Sequence, residues 1–269
     1  MLMRNPGRWI VVIIALIGVA AIVYYNWFRQ APEVQPQPQP PAPPVATKPA
    51  PETEAKPKIQ YPVTEAEEEK PLPVLGESDA AMKEALTGLF GRYALGKYFY
   101  LDEIIRRIVA TVDNLPREKL SQRLVPVKPV PGKFLVTGKQ ENFELDPANY
   151  ARYAPYVHLA EAVNVKKAVA VYVHFYPLFQ KAYKDLGYPT GYFNDRLIEV
   201  IDHLLAAPDV KAPVKLVQPK VFYEFAHPGL EALSAGQKIM IRMGPENAAK
   251  IKARLKDYRR ELSGQELKQ

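Results

Sequence analysis

Asn164-Val-Lys-Lys-Ala-Val-Ala-Val-Tyr-Val-His-Phe-Tyr-Pro-Leu-Phe-Gln-Lys-Ala-Tyr-Lys-Asp-Leu-Gly187 is the most regular stretch of the chain. Its apolar positions Val165, Val169, Tyr172, Tyr176, Phe179, Tyr183 and Leu186 step by 4, 3, 4, 3, 4 and 3 residues. That spacing keeps them on one face of an α-helix. Asn164 supplies an N-cap and Gly187 a stop. Pro177 lacks the N–H that an unbroken helix needs, so the sequence predicts a kink there. A domain built around so long an amphipathic segment is mainly α.

The flanking segments agree. Ser78 or Asp79 is placed to cap a helix carrying Met82, Ala85, Leu86, Leu89, Phe90 and Tyr93 on one face. Leu101, Ile104, Ile105, Ile108, Val109 and Val112 repeat near 3.6 and stop at Asn114-Leu-Pro116. Asp146-Pro147 opens another helix. Further helices are expected from Tyr192 to Ala207, from Ser234 to Met243 and from Pro245 to Arg260. On the Tyr192–Ala207 segment, Leu197, Val200, Ile201, Leu204 and Leu205 are expected inward. The β content is minor, one or two short hairpins. Phe134–Thr137 and Asn142–Leu145 flank Gly138-Lys-Gln-Glu141, and Lys215–Val217 and Val221–Phe225 flank Pro219.

Upstream, the composition changes twice. Residues 77–269 read as the helical domain, with 29 basic and 22 acidic residues. Residues 29–76 hold 13 of the chain's 27 prolines, including Gln35-Pro-Gln-Pro-Gln-Pro-Pro-Ala-Pro-Pro44. Such a tract predicts a disordered linker of polyproline II character. Residues 1–28 contain the uninterrupted apolar run Trp9–Phe28. Its 20 residues rise ~30 Å as a helix, the thickness of a hydrocarbon core. Trp9 at one end and Tyr24, Tyr25 and Trp27 at the other form interfacial belts. The run ends without the small residues of a signal-peptide cleavage site, so a retained transmembrane anchor is expected. Arg4 and Arg8 precede it and only Arg29 follows closely. This predicts a single-pass inner-membrane protein with its N-terminus in the cytoplasm and its domain in the periplasm.

Several chemistries are excluded or weakened. With no cysteine, thiol nucleophiles, Cys-bound zinc and disulfides are absent. Gly91-Arg-Tyr-Ala-Leu-Gly96-Lys97-Tyr98 approaches a phosphate-binding loop, but Tyr98 stands where a small hydroxyl is needed. This stretch is expected to be a turn between helices. His158, His174, His203 and His227 show no metal-binding spacing, and none of the four serines lies in GxSxG. No cofactor is expected, and nucleic acid is not an expected partner.

Three features are candidates for an interaction surface. Asp195, Glu199 and Asp202 share one helix face. They suit a cation, the basic C-terminal helix or acid/base work on a glycan, and the plain reading is a solvated face. Tyr150, Tyr153 and Tyr156 suit sugar stacking or a protein interface, and more plainly a core edge. Lys250 and Arg254 head a basic cluster on the last helix, which suits an anionic polymer or acidic partner, and more plainly a solvated helix end.

Five strings then carry a resemblance. They are Arg107-Ile-Val-Ala-Thr-Val-Asp-Asn-Leu-Pro-Arg117, Val127-Lys-Pro-Val-Pro-Gly132, Asn149-Tyr-Ala-Arg-Tyr-Ala-Pro-Tyr156, Tyr192-Phe-Asn-Asp-Arg-Leu-Ile-Glu-Val-Ile-Asp202 and Met243-Gly-Pro-Glu-Asn247. Together they resemble the bacterial family known as domain of unknown function 3014, over nearly all of residues 77–260. The resemblance implies a single-pass anchor with a proline-rich stalk, and it supplies no activity or catalytic residue. The expected function is a membrane-tethered periplasmic binding or scaffold domain whose partner is an envelope protein or cell-wall polymer. The alternative is a cell-wall-acting hydrolase using the helix carboxylates.

Overall fold

The structure is a computed structural model, and it describes residues 59–63, 71–139 and 142–264. The apolar run with Trp9, Tyr24, Tyr25 and Trp27, and most of the proline-rich tract, lie outside the described residues. Among the described residues, no helix is long and apolar enough to cross a membrane.

The domain is mainly helical with one small antiparallel sheet. A 3-10 turn at Leu75–Glu77 leads into α1 (Asp79–Phe90), α2 (Arg92–Tyr98) and α3 (Ile104–Asn114). β1 (Val136–Thr137) and β2 (Phe143–Leu145) follow, then α4 (Ala148–Ala162), α5 (Val165–His174), α6 (Tyr176–Asp185) and α7 (Phe193–Leu205). β3 (Lys215–Val217), β4 (Glu224–Phe225), α8 (Pro228–Glu231), α9 (Ala235–Arg242) and α10 (Pro245–Ser263) complete it.

The segment expected to be one kinked helix is two. Asn164 does cap α5, accepting the Lys167 N–H at 3.0 Å. The helix then breaks at Phe175, because Pro177 has no N–H to continue the ladder and serves instead in the first turn of α6. Phe175 is buried at the joint, and Leu178 N–H turns back to its carbonyl at 2.9 Å. Tyr176, Phe179 and Tyr183 stay buried, but the second helix ends at Asp185, and Leu186, expected inward, is its exposed C-cap. Tyr93 is a second correction. Gly91 takes φ 77°, which ends α1 and starts α2 in a new direction, and Tyr93 emerges 79% exposed. The stretch Gly91–Tyr98, expected to be a turn, is thus mostly a short helix.

The caps at the start also differ from expectation. Ser78 Oγ donates to the Leu75 carbonyl rather than capping α1. Asp79 caps α3 from a distance, accepting the N–H groups of Glu103 (2.7 Å) and Ile104 (3.0 Å). These are two of the orphan donors every helix start must satisfy.

The main core joins α1, α3, α6 and α7 through Met82, Ile104, Ile105, Val109, Val112, Phe179, Tyr183, Phe193 and Val200. On α7 the inward face centres on Phe193, Ile198, Val200 and Ile201, with Leu197, Leu204 and Leu205 only half-buried. Both expected hairpins form, and β2 pairs with β3, giving a four-stranded sheet in the order β1-β2-β3-β4. Leu145, Leu216 and Phe225 of this sheet pack with Val214 and Ile241 in a second cluster. Helix α10 runs against α4, α5 and α7.

Packing begins upstream of α1. Leu75 is buried, and Leu72 and Val63 lie against the main core.

Candidate functional site

Helix α7 organises the polar chemistry of the domain. Its first turn points Tyr192, Asn194 and Asp195 towards residues 60–63. Further along it, Arg196 faces α3 and Asp202 faces α10. The stripe Asp195, Glu199 and Asp202 is therefore divided among three partners. Asp195 accepts the backbone N–H groups of Gln60 (3.0 Å) and Tyr61 (2.8 Å). Glu199, 67% exposed, pairs with Arg196 at 2.9 Å. Asp202 takes a two-pronged bond from Arg259 on α10, with Nη2 at 3.0 Å from Oδ2. Its hydrogen bond to Asp202 leads the effects that raise the Arg259 guanidinium above the ordinary arginine value.

A charged residue that sequence reasoning missed lies beneath this face. Asp113 of α3 has a side chain only 2% exposed and is paired with Arg117 (2.6 Å) and Arg196 (3.3 Å). The Tyr188 hydroxyl donates to the same carboxylate at 3.2 Å. Burial works against the charge of Arg196, but Glu199 and Asp113 outweigh it and hold the guanidinium above its usual value. Asp113 ends an apolar helix face, so its only signal in the sequence was a carboxylate where a hydrophobic residue fits the period.

The tyrosines line core edges. Tyr156 packs edge-on against Tyr98 at 5.0 Å and donates to the Pro129 carbonyl at 3.1 Å. Tyr153 packs with Met240, Met243 and Ala248. Tyr150 packs beside the sheet cluster and against Gly244. Burial pushes all three hydroxyls up from the ordinary tyrosine value.

The basic cluster of α10 is largely used inside the domain. Arg254 donates to the Ala160 and Val163 carbonyls, closing the C-terminal end of α4. Lys250 reaches Glu161 at 3.4 Å, Lys252 reaches Asp209 at 2.7 Å, and Arg260 reaches Asp257 at 2.9 Å.

A cleft of about 610 Å³ opens beside β4 and α8 and is lined by Glu118, Glu224, Glu231 and Ser234 among others. Ser234 Oγ lies 2.8 Å from His203 Nε2, a pair the sequence did not reveal. The hydroxyl also accepts the Gln237 N–H as the cap of α9. Among the described residues no carboxylate bonds the other nitrogen of His203. No group of three or more potential metal ligands converges among the described residues.

The geometry also accounts for the five marker strings. Asn149, fully buried, donates to the Leu135 and Asp146 carbonyls and accepts the Leu135 N–H. Arg152 donates to the carbonyls of Pro131 and Gly132, and Asn247 donates to those of Tyr150 and Met243. Strings far apart in the chain are thus mutual clamps within one architecture. The chain belongs to the family described as protein of unknown function (DUF3014), whose model matches residues 104–259. The curated proteins and the solved structures give no match.

Proposed function

We propose that this chain is a membrane-tethered, non-enzymatic binding or scaffold domain of the cell envelope, carried into the periplasm on a proline-rich stalk. The observation that carries the reading is the fate of the α7 carboxylates. Asp195, Glu199 and Asp202 each have a separate partner, whereas glycan cleavage needs two carboxyl groups facing across one bond. The apolar run Trp9–Phe28 and the stalk composition support the tethering. A binding role also has apolar surface to draw on. At the β3–β4 tip, Val221 and Phe222 are 77% and 79% exposed.

The test uses the full chain in its membrane. Proximity labelling should mark one or a few envelope proteins, and Phe222→Asp should weaken that labelling. A reporter active only in the periplasm, fused after Gln269, should work. Activity of a cytoplasm-only reporter there would overturn the topology. Glycan cleavage that disappears in Glu199→Gln or Asp202→Asn would replace the scaffold with the hydrolase.

A further inference from the structure

Residues Gln60 to Val63 carry three backbone N–H groups, since Pro62 has none. All three are accepted by side chains at the start of α7. Asp195 takes those of Gln60 and Tyr61 with its two oxygens, and the Tyr192 hydroxyl takes that of Val63 at 2.8 Å. In the other direction Asn194 Nδ2 donates to the Tyr61 carbonyl at 2.9 Å, and Arg259 of α10 reaches the Tyr61 side chain. Four main-chain groups are thus read by three nearly consecutive side chains. That is how an extended peptide is held without reference to its sequence.

The two sides of this contact are unequal. The receiving side is built in. Asn194 is fully buried, its Oδ1 accepts the Tyr172 hydroxyl at 3.2 Å, and its amide also reaches the Leu262 carbonyl of α10. Tyr192 packs on Tyr176 with ring centroids 5.5 Å apart. The held segment is lightly bound. None of Ile59–Val63 is buried, and Val63 alone packs against the core. The Gln60 hydrogen bond is exposed and the other three are half-buried, and a segment held by few bonds with little apolar burial lies at the low-stability end of a fold, the part that opens first.

We propose that the first turn of α7 is a peptide-binding site that the chain closes on its own Gln60–Val63 segment, as a releasable latch. When it is closed, the upstream chain meets the domain at Ile59, beside α7 and α10. Release moves that junction towards Pro71, and the 12 residues from 59 to 70 span up to about 40 Å when extended. The latch therefore sets the reach of whatever precedes residue 59. It does not depend on the membrane assignment, and it stands or falls independently of the scaffold reading.

Hydrogen exchange on the full chain in detergent micelles tests this. The amides of Gln60, Tyr61 and Val63 should be protected. Asp195→Ala should speed exchange at Gln60 and Tyr61 at least tenfold while leaving the amides of α3 unchanged. Tyr192→Phe, which removes only a hydroxyl, should act mainly at Val63. Unprotected amides in the parent chain, or no change in either variant, would overturn the proposal. Protection that grows with protein concentration would also overturn it, in favour of exchange between two copies. Because the chain lacks cysteine, spin labels placed at Ile59→Cys and Lys256→Cys give a second readout. Their separation should be narrow in the parent and broad with Asp195→Ala, and a broad distribution in both would sink the latch.

Discussion

Arg196 on α7 reaches the carboxylate of Asp113 on α3 at 3.3 Å, and its guanidinium also donates to the Asp113 carbonyl at 3.1 Å. One residue thus ties the two helices together through both a side chain and a backbone.

Asp113→Ala should therefore be costly. It removes the carboxylate shared by Arg196, Arg117 and Tyr188 and leaves a partly buried guanidinium with Glu199 and the backbone carbonyl of residue 113. Breaking a buried pair from one side costs about 3–5 kcal/mol. Denaturant unfolding followed by circular dichroism should show a loss near the lower end. Glu199→Gln, at the exposed end of the same network, should change stability by less than about 0.5 kcal/mol. Equal losses in the two variants would show that the buried carboxylate is not the anchor.

Asn149→Ala should loosen the junction between α4 and the segment before β1. It removes the Asn149 partner of the Leu135 N–H and leaves the Leu135 carbonyl with the Asp146 N–H alone, at 3.3 Å. An unpaired donor costs about 1–3 kcal/mol, so unfolding should shift by at least about 1 kcal/mol. Amide exchange at Leu135 is the local readout, and an unchanged rate there would contradict the clamp.

Gly244→Ala combines two penalties. Gly244 sits at φ 86°, and an added Cβ would lie 2.5 Å from Tyr150 Cγ. A side chain in that backbone region is strained by about 1–3 kcal/mol before any clash is counted. Tyr150→Ala in the same chain should recover only the steric part. A thermal midpoint for Gly244→Ala equal to that of the parent would refute this packing.

Glu231 predicts a dependence on pH. Burial raises its carboxyl, but the Lys238 ammonium at 2.7 Å and the Phe225 N–H outweigh burial and hold it below the ordinary 4.5. A depressed carboxylate contributes stability above its unfolded value and loses it as the pH falls through the folded value. Glu231→Gln should therefore be less stable than the parent at pH 7, and the gap should close below pH 4 (about the unfolded carboxylate value). A gap that widens on acidification would reverse the assignment.

Local signals in the sequence were sufficient for most elements. The 3.6-residue repeats located α1, α3 and α7, and Asn164 caps the helix it was expected to cap. Both hairpins followed from alternation around turn residues. These features depend on residues within one or two turns of each other, which is the range over which helix and turn chemistry act.

What no local pattern contained was the pairing of distant groups. Asp79 looked like a cap for its own helix and instead serves Glu103 and Ile104. Asp195 was read with Glu199 and Asp202 because they share a helix face, yet its partners are amides 134 and 135 residues away. Arg254, read as part of a basic cluster, donates to the Ala160 and Val163 carbonyls at the end of α4. The union of two hairpins into one sheet needed Phe143 to meet Leu216 across the chain. A carboxylate or guanidinium on a helix surface is satisfied equally well by water, by a neighbouring charge or by a remote backbone group. The sequence determined which residues carried charge and on which face. Only the packing of α3, α7 and α10 decided what each charge would hold.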